Sequence, residues 1–178
     1  NEFSGGELQR ISIARALVPE PKLIVADEPV SMVDASIRMN ILNMFKDLKE
    51  KGGISFIYVT HDLATAYYIS DEIAIMYRGV VVEMGPAEDV LMRKHHPYTK
   101  GLVEALPEYS KREEWLRKRV KPPGMEVKEF LTPYCKYADI CPNRSEKCVT
   151  ERPPIFNVDK VRVACWIYEG YPVEAQRE

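Results

Sequence analysis

The sequence predicts an α/β fold built on a parallel sheet, followed by a small cysteine-containing extension at the C-terminal end. Leu23–Ala26 is a short, continuous apolar run with two β-branched residues, which is typical of a buried strand. Ile54–Thr60 has the same character, and a helical pattern separates the two runs. Strand, helix and strand at this spacing form a βαβ unit, so the two strands should be parallel. The extension is indicated by the four cysteines, which all lie within Cys135–Cys165.

Short polar motifs predict where the helices begin. Ser4-Gly5-Gly6-Glu7 has the pattern of a capping box, and Pro19 and Pro21 would end the helix that it begins. Asp34 is placed to cap a second helix before Gly52-Gly53. One face of that helix would be apolar, and its members are Ile37, Ile41, Leu42, Phe45 and Leu48.

Downstream of the βαβ unit the predicted elements are shorter. Asp62 would cap a helix that continues to Ile69, and Glu72–Tyr77 with Val80–Met84 reads as a hairpin around Gly79. Two short helices are expected after it, over Pro86–Leu91 and Pro97–Leu106.

Composition limits the classes of function. The chain has 178 residues, 46% of them hydrophobic, and a net charge of −2, so bulk attraction to nucleic acid or anionic lipid is not expected. It contains neither a signal-peptide pattern nor an apolar run of the roughly 18 residues that a membrane span needs. Any membrane association should therefore pass through a partner protein.

Three titratable residues are expected at one edge of the sheet. Asp27 and Glu28 follow the first strand and His61 follows the second, and ligands of open α/β sheets bind at these carboxyl ends. Solvated loop acids and a structural histidine are the alternative. The two glycines after Ser4 indicate an anion-binding site. Each costs the helix up to about 1 kcal/mol relative to Ala in its first turn, but bare N–H groups can approach a phosphate closely.

Four motifs in fixed order give a family resemblance. FSGGE (Phe3–Glu7), LIVADEP (Leu23–Pro29), SMVD (Ser31–Asp34) and VTHD (Val59–Asp62) together resemble the signature loop, Walker B strand, D-loop and switch histidine of an ABC-type ATPase domain. The chain thus resembles the C-terminal half of such a domain. Its phosphate loop, G-x-x-x-x-G-K-[ST], occurs nowhere in these 178 residues, so we expect them to be inactive alone.

The resemblance implies roles for these residues. The nucleotide-binding set would be Ser4, Gly5, Gly6, Glu7, Asp27 and Asp34, with the signature loop facing ATP held by a second subunit. Asp27 would hold Mg²⁺ through water. Glu28 would orient or deprotonate the attacking water, and His61 would contact the γ-phosphate.

A second resemblance narrows the family. His96-Pro97-Tyr98-Thr99 and the stretch EPVSMVD (Glu28–Asp34) resemble the ATPase subunits of oligopeptide/dipeptide ABC importers. That family implies a second ATPase subunit, identical or different, two transmembrane permease subunits and, indirectly, a peptide-binding protein, with no nucleic acid. The location would be peripheral, on the cytoplasmic face of the membrane. An importer of nickel or sugar, and a soluble ABC ATPase acting on nucleic acid, are the alternatives.

The predicted domain division follows the same resemblance. Residues 1–92 would be the C-terminal part of the ATPase domain, and residues 93–178 the importer-type extension. Within the extension we expect a polar, basic linker over 107–133 and a cysteine module over 135–166.

The cysteines admit three interpretations from their spacing. Cys135, Cys141, Cys148 and Cys165 could form two disulfides, bind a structural zinc or hold a [4Fe–4S] cluster. A reducing cytosol disfavours disulfides, and no pair has the usual zinc spacing. The family resemblance implies the [4Fe–4S] cluster, replaced by zinc or empty if the cluster is lost. A separate redox or binding module is a further alternative.

Overall fold

The computed structural model describes residues 3–31, 33–106 and 131–174, which fall into two compact units, Asn1–Ser70 and Asp71–Glu178. In the first unit the order is α1 (Gly5–Leu17), β1 (Leu23–Asp27), α2 (Ala35–Glu50), β2 (Ser55–Val59) and α3 (Leu63–Ile69). In the second it is β3 (Glu72–Tyr77), β4 (Val80–Pro86), α4 (Ala87–Arg93), α5 (Pro97–Glu104), β5 (Phe156–Val158) and β6 (Val161–Val163). Short 3₁₀ turns lie at Ala138–Ile140, Lys147–Val149 and Trp166–Tyr168.

The predicted βαβ unit is confirmed in the first unit. β1 and β2 pair in parallel, in a register that sets Leu23 opposite Ser55 and Asp27 opposite Val59. The apolar face of α2 lies against this pair, and the aromatic ring of Phe45 packs 5.1 Å from that of Phe56. The buried core consists of Ile13, Ala26, Val30, Ile41, Leu42, Phe45 and Ile69.

The prediction that both strands are buried is wrong for one face of the sheet. Ile24 and Phe56 lie on the inner side, but Val25 is 64% exposed and Ile57 51% exposed on the other. The described helices of this unit pack on one face only, and an apolar run does not tell which face is covered.

The second unit contains an antiparallel sheet of order β3-β4-β6-β5. The predicted hairpin is confirmed: β3 pairs with β4 around Arg78 and Gly79, which have φ angles of 47° and 78°. The second hairpin, β5–β6, was not predicted, and it pairs with β4 through Glu83–Val163 and Met84–Arg162. The signal was present, since Phe156, Val158, Val161 and Val163 are all buried and alternate around an Asp-Lys turn.

The His-Pro-Tyr-Thr string begins α5, with Pro97 in its first turn as predicted. His96 caps the helix, because its Nδ1 accepts from the Tyr98 N–H at 3.0 Å. Its own N–H donates to Oε2 of Glu83 at 2.9 Å, and the His95 N–H donates to Oε1 of Glu83 at the same distance. Glu83, His96 and Thr99 are buried, so the string has a packing role that the sequence did not reveal.

The border between the compact units lies at Ser70/Asp71, whereas the predicted domain division lies at 92/93. The predicted division follows from the family resemblance of the sequence and stays a prediction. Residues 107–130, most of the predicted linker, lie outside the described residues.

Candidate active site

The N-terminus of α1 has the predicted capping box. The backbone N–H of Ser4 donates to Oε2 of Glu7 at 2.8 Å, and the N–H of Glu7 donates to Oγ of Ser4 at 3.3 Å. These bonds hold the pKa of Glu7 below its usual value, chiefly through the backbone of Ser4. The first turn of α1 is therefore preformed around the two glycines.

Gly6 has a structural reason as well as the proposed anion-binding one. It is buried, and a Cβ at this position would lie 2.8 Å from Cδ1 and 3.0 Å from Cγ2 of Ile37 on α2. A side chain at this position would force Ile37 to move, so close packing of α1 on α2 is a second reason for glycine beside the expected phosphate binding.

Glu28 sits in an unusual backbone conformation directly after β1. Its φ is 45°, in the left-handed region that costs a non-glycine residue of order 1 kcal/mol or more. Its N–H donates to the Val59 carbonyl at 2.9 Å, and its carbonyl accepts from Oγ of Ser31 at 2.9 Å. The first bond continues the β1–β2 pairing by one residue, and the two together hold Glu28 at the carboxyl edge of the sheet.

The carboxylate of Glu28 and the side chain of His61 are in direct contact. Oε1 of Glu28 lies 2.7 Å from Nδ1 of His61 and accepts from the His61 N–H at 3.0 Å. The pKa of Glu28 lies below its usual value, chiefly because of the side-chain hydrogen bond with His61. An ionised carboxylate only accepts, so Nδ1 is the donor and Nε2 is left for another ligand. The side chain of His61 is 83% exposed, as a ligand-contacting group should be.

Asp27 is the last residue of β1 and faces solvent. It lies opposite Val59 in the sheet, and Val59 precedes His61 by two residues along the chain. The structure thus brings Asp27, Glu28 and His61 to one edge, as the parallel strands predict. The exposed carboxylate of Asp27 is a suitable donor for a hydrated Mg²⁺, which prefers oxygen ligands and keeps several waters.

Asp34 performs the capping role that the sequence predicts. Its Oδ1 accepts from the Ile37 N–H at 3.0 Å and from Oγ of Ser36 at 2.9 Å. The pKa of Asp34 is lowered, first of all by the Ile37 backbone bond. A contact of Asp34 with an opposite subunit stays a prediction.

Two residues at this edge were not singled out from the sequence. Thr60 accepts from the Asp62 N–H at 3.1 Å and has its hydroxyl 3.5 Å from Oε2 of Glu28. Arg38 places Nη1 3.6 Å from Oδ2 of Asp62. Thr60 lies inside the VTHD motif and could have been noticed there. Arg38 belongs to no motif, but it precedes the buried Leu42 and Phe45 by one and two helical turns, so a charged residue on the apolar face of α2 was the available signal.

The prediction of an iron–sulfur cluster, with zinc as its substitute, is wrong. Over residues 3–31, 33–106 and 131–174, no three His, Cys, Asp or Glu side chains are placed to hold a metal ion, although all four cysteines are described. The four thiols are free, so the disulfide alternative is not observed either.

The four thiols differ in their surroundings. Cys148 and Cys165 are buried, and burial raises the pKa of Cys165 to about 12 and also raises the pKa values of Cys135 and Cys141. In the part of the chain that the structure describes, these thiols do not converge on a common metal site. Cys148 makes a local contact, its sulfur accepting from the Ser145 N–H at 3.4 Å.

Comparison with known proteins places the chain. The family profile described as "Oligopeptide/dipeptide transporter, C-terminal region" matches residues 82–148, and the one described as "ABC transporter" matches residues 1–31. The dipeptide transport ATP-binding protein of Haemophilus influenzae is 38% identical over 167 residues, which cover 92% of this chain and 50% of that protein. The oligopeptide transport ATP-binding protein of Salmonella typhimurium is 39% identical over 167 residues, which cover 93% of this chain and 50% of that protein.

The chain belongs to the ATP-binding proteins of the oligopeptide/dipeptide ABC transporter family. It spans about half the length of the family members that it matches. Their names mention peptide transport and ATP binding and no iron–sulfur cluster.

A solved structure supports the ABC ATPase fold of this family. An inward-facing ABC transporter of the metal-chelate type aligns with a TM-score of 0.51 at 27% identity, over 59% of this chain and 40% of that one. Among the helices that the structure describes, none combines the length and the apolar character needed to span a membrane.

Proposed function

We propose that these residues form part of the ATP-hydrolysing subunit of an ABC importer that takes up oligopeptides or dipeptides. The observation that carries the proposal is the pair formed by Glu28 and His61, 2.7 Å apart at the edge of the sheet where Asp27 also ends its strand. Relatives named for dipeptide and oligopeptide transport support the substrate class.

In the proposed mechanism Glu28 acts on the attacking water. Its lowered pKa keeps the carboxylate ionised, so it can orient the water and accept its proton. Nε2 of His61 is directed away from Glu28 and would contact the γ-phosphate. Mg²⁺, held through water by Asp27, would supply charge neutralisation at the phosphates.

The signature loop would act in a second subunit's site. The preformed first turn of α1 would offer the N–H groups around Gly5 and Gly6, together with Ser4 and Glu7, to ATP bound by the partner. Asp34 would contact the partner at the same interface. The pair of subunits, identical or different, would sit beneath two permease subunits on the cytoplasmic face of the membrane and receive peptide through a binding protein. The net charge of −2 favours no nucleic-acid partner.

The test is Glu28→Gln in the complete subunit. The amide keeps the size of the side chain but cannot take up the proton, so we expect ATP binding to persist while turnover falls by about 100-fold or more. Radiolabelled dipeptide uptake should fall with it. Glu50→Gln on the exposed end of α2 is the matched control and should leave both unchanged. Near-normal turnover in the Glu28 variant would refute the proposed role.

A further inference from the structure

We infer that Arg38 is a positioning residue that holds the His61 segment against Glu28 by pairing with Asp62. This inference rests on the proposed function of Glu28 and His61. It concerns an ion pair between α2 and the N-cap of α3, which neither the motifs nor the relatives' names assign.

The segment Thr60–Asp62 is held from both sides. On one side it contacts Glu28, through the His61 N–H at 3.0 Å and the Thr60 hydroxyl at 3.5 Å. On the other side Asp62 is fixed, with Oδ1 accepting from the Ala64 N–H at 2.9 Å and Oδ2 lying 3.6 Å from Nη1 of Arg38. The Asp62 N–H then bonds Oγ1 of Thr60 at 3.1 Å, which connects the two ends.

The surroundings of Arg38 argue against a purely stabilising role. Its Nε is buried and, among the residues that the structure describes, has no hydrogen-bond partner. A buried N–H without a partner costs stability, and an ion pair whose two side chains are 35% and 33% exposed contributes little to it. A contact that only stabilised the fold would not need a guanidinium here. A contact that holds the negative charge of Asp62 in place needs a positive one.

The position of Arg38 on α2 also connects two predicted contact points. Its N–H donates to the Asp34 carbonyl at 2.9 Å, one helical turn after the residue expected to touch the opposite subunit. A shift at Asp34 would therefore reach Asp62 and His61 through one rigid helical turn and one ion pair.

The experiment is steady-state ATP turnover by the complete subunit in its assembled transporter. Arg38→Gln should lower kcat by about 10- to 100-fold, because small misplacements of catalytic groups cost this much, with the KM for ATP little changed. Arg38→Lys keeps the charge and should recover part of the loss. Lys46→Gln is the matched control, since Lys46 also joins α2 to α3, 4.2 Å from the ring of Tyr68, but far along the helix from His61.

A double variant tests whether Arg38 acts through Asp62. Asp62→Asn should lower kcat as Arg38→Gln does, and the double variant should be no worse than either single one.

The outcomes are distinguishable. Equal losses in Arg38→Gln and Lys46→Gln, additive effects in the double variant, or a higher KM for ATP with an unchanged kcat in Arg38→Gln would overturn the inference while leaving the proposed function standing. Undiminished turnover in Glu28→Gln would instead remove the proposed function on which the inference rests.

Discussion

At the scale of single residues, Glu28 combines three constraints that are separate in the sequence. Its backbone N–H extends the sheet, its carbonyl anchors the turn to Ser31, and its carboxylate contacts His61. Because each group is bound, the left-handed φ of 45° is maintained despite its cost. The place of Glu28 after an apolar strand was predictable, but its backbone conformation was not, since it results from partners about thirty residues away along the chain.

Gly6 gives a prediction at the same scale. Gly6→Ala should destabilise the complete subunit by about 1–3 kcal/mol, because the new Cβ would press against two atoms of Ile37. The free energy of unfolding from denaturant titration is the measurement. Ile37→Ala removes the side chain that the new Cβ would meet. Adding Gly6→Ala to the Ile37→Ala variant should therefore cost less stability than adding it to the parent.

Gly101 is the matched control for this prediction. It lies in α5, where a Cβ would come no closer than 3.8 Å to Oη of Tyr137. Gly101→Ala should be neutral or stabilise by up to about 1 kcal/mol through reduced unfolded-state entropy. If Gly6→Ala were equally neutral, the close helix approach would not limit this position.

At the scale of elements, α5 depends on a buried polar start. The imidazole of His96 caps the helix through Nδ1, while both oxygens of Glu83 accept the N–H groups of His95 and His96. The rings of Tyr98 and Tyr77 pack 4.7 Å apart beside it. A carboxylate buried on β4 thus sets where the helix begins, which a local sequence pattern does not reveal.

This arrangement predicts an acid-sensitive stability. Burial lowers the pKa of His96 to about 4, so the folded state keeps the ring neutral while the unfolded state takes up a proton near pH 6.5. The stability that depends on a neutral His96 is therefore fully present above about pH 6.5 and is lost as the pH falls toward 4. Its size is up to about 3 kcal/mol.

His96→Asn tests this pH dependence. Asn keeps a capping acceptor but does not titrate, so its stability should fall less steeply between pH 6.5 and 4 than that of the parent. Urea unfolding followed by tryptophan fluorescence is suitable, because both tryptophans, Trp115 and Trp166, belong to residues 71–178. Identical pH slopes in the two proteins would show that His96 does not cause the effect.

At the scale of the whole molecule, the two compact units contain different parts of the proposed machinery. The motifs from Ser4 to His61 lie in Asn1–Ser70, whereas the His-Pro-Tyr-Thr string and the cysteines lie in Asp71–Glu178. The Glu28–His61 contact therefore lies entirely within the first unit.

A binding prediction also belongs to this scale. The sequence contains no phosphate loop, and its signature loop is proposed to complete a site on a second subunit, so residues 1–178 alone should bind Mg-ATP weakly and not hydrolyse it. Titration calorimetry is the measurement, with the complete subunit as the positive control. Micromolar affinity for the 178 residues would contradict the argument.

The sequence by itself determined the features that depend on neighbouring residues. The capping box at Ser4, the strand and helix positions, and the common edge that Glu28 and His61 share follow from local hydrogen-bonding patterns and from the fact that parallel strands end at a common edge. Only the tertiary structure decided the exposed face of β1 and β2, the pairing of the β5–β6 hairpin with β4 and the state of the cysteines. Each of these depends on what surrounds a side chain in space. Val25 is apolar but uncovered, and Cys165 was expected to be a ligand but is a free, buried thiol.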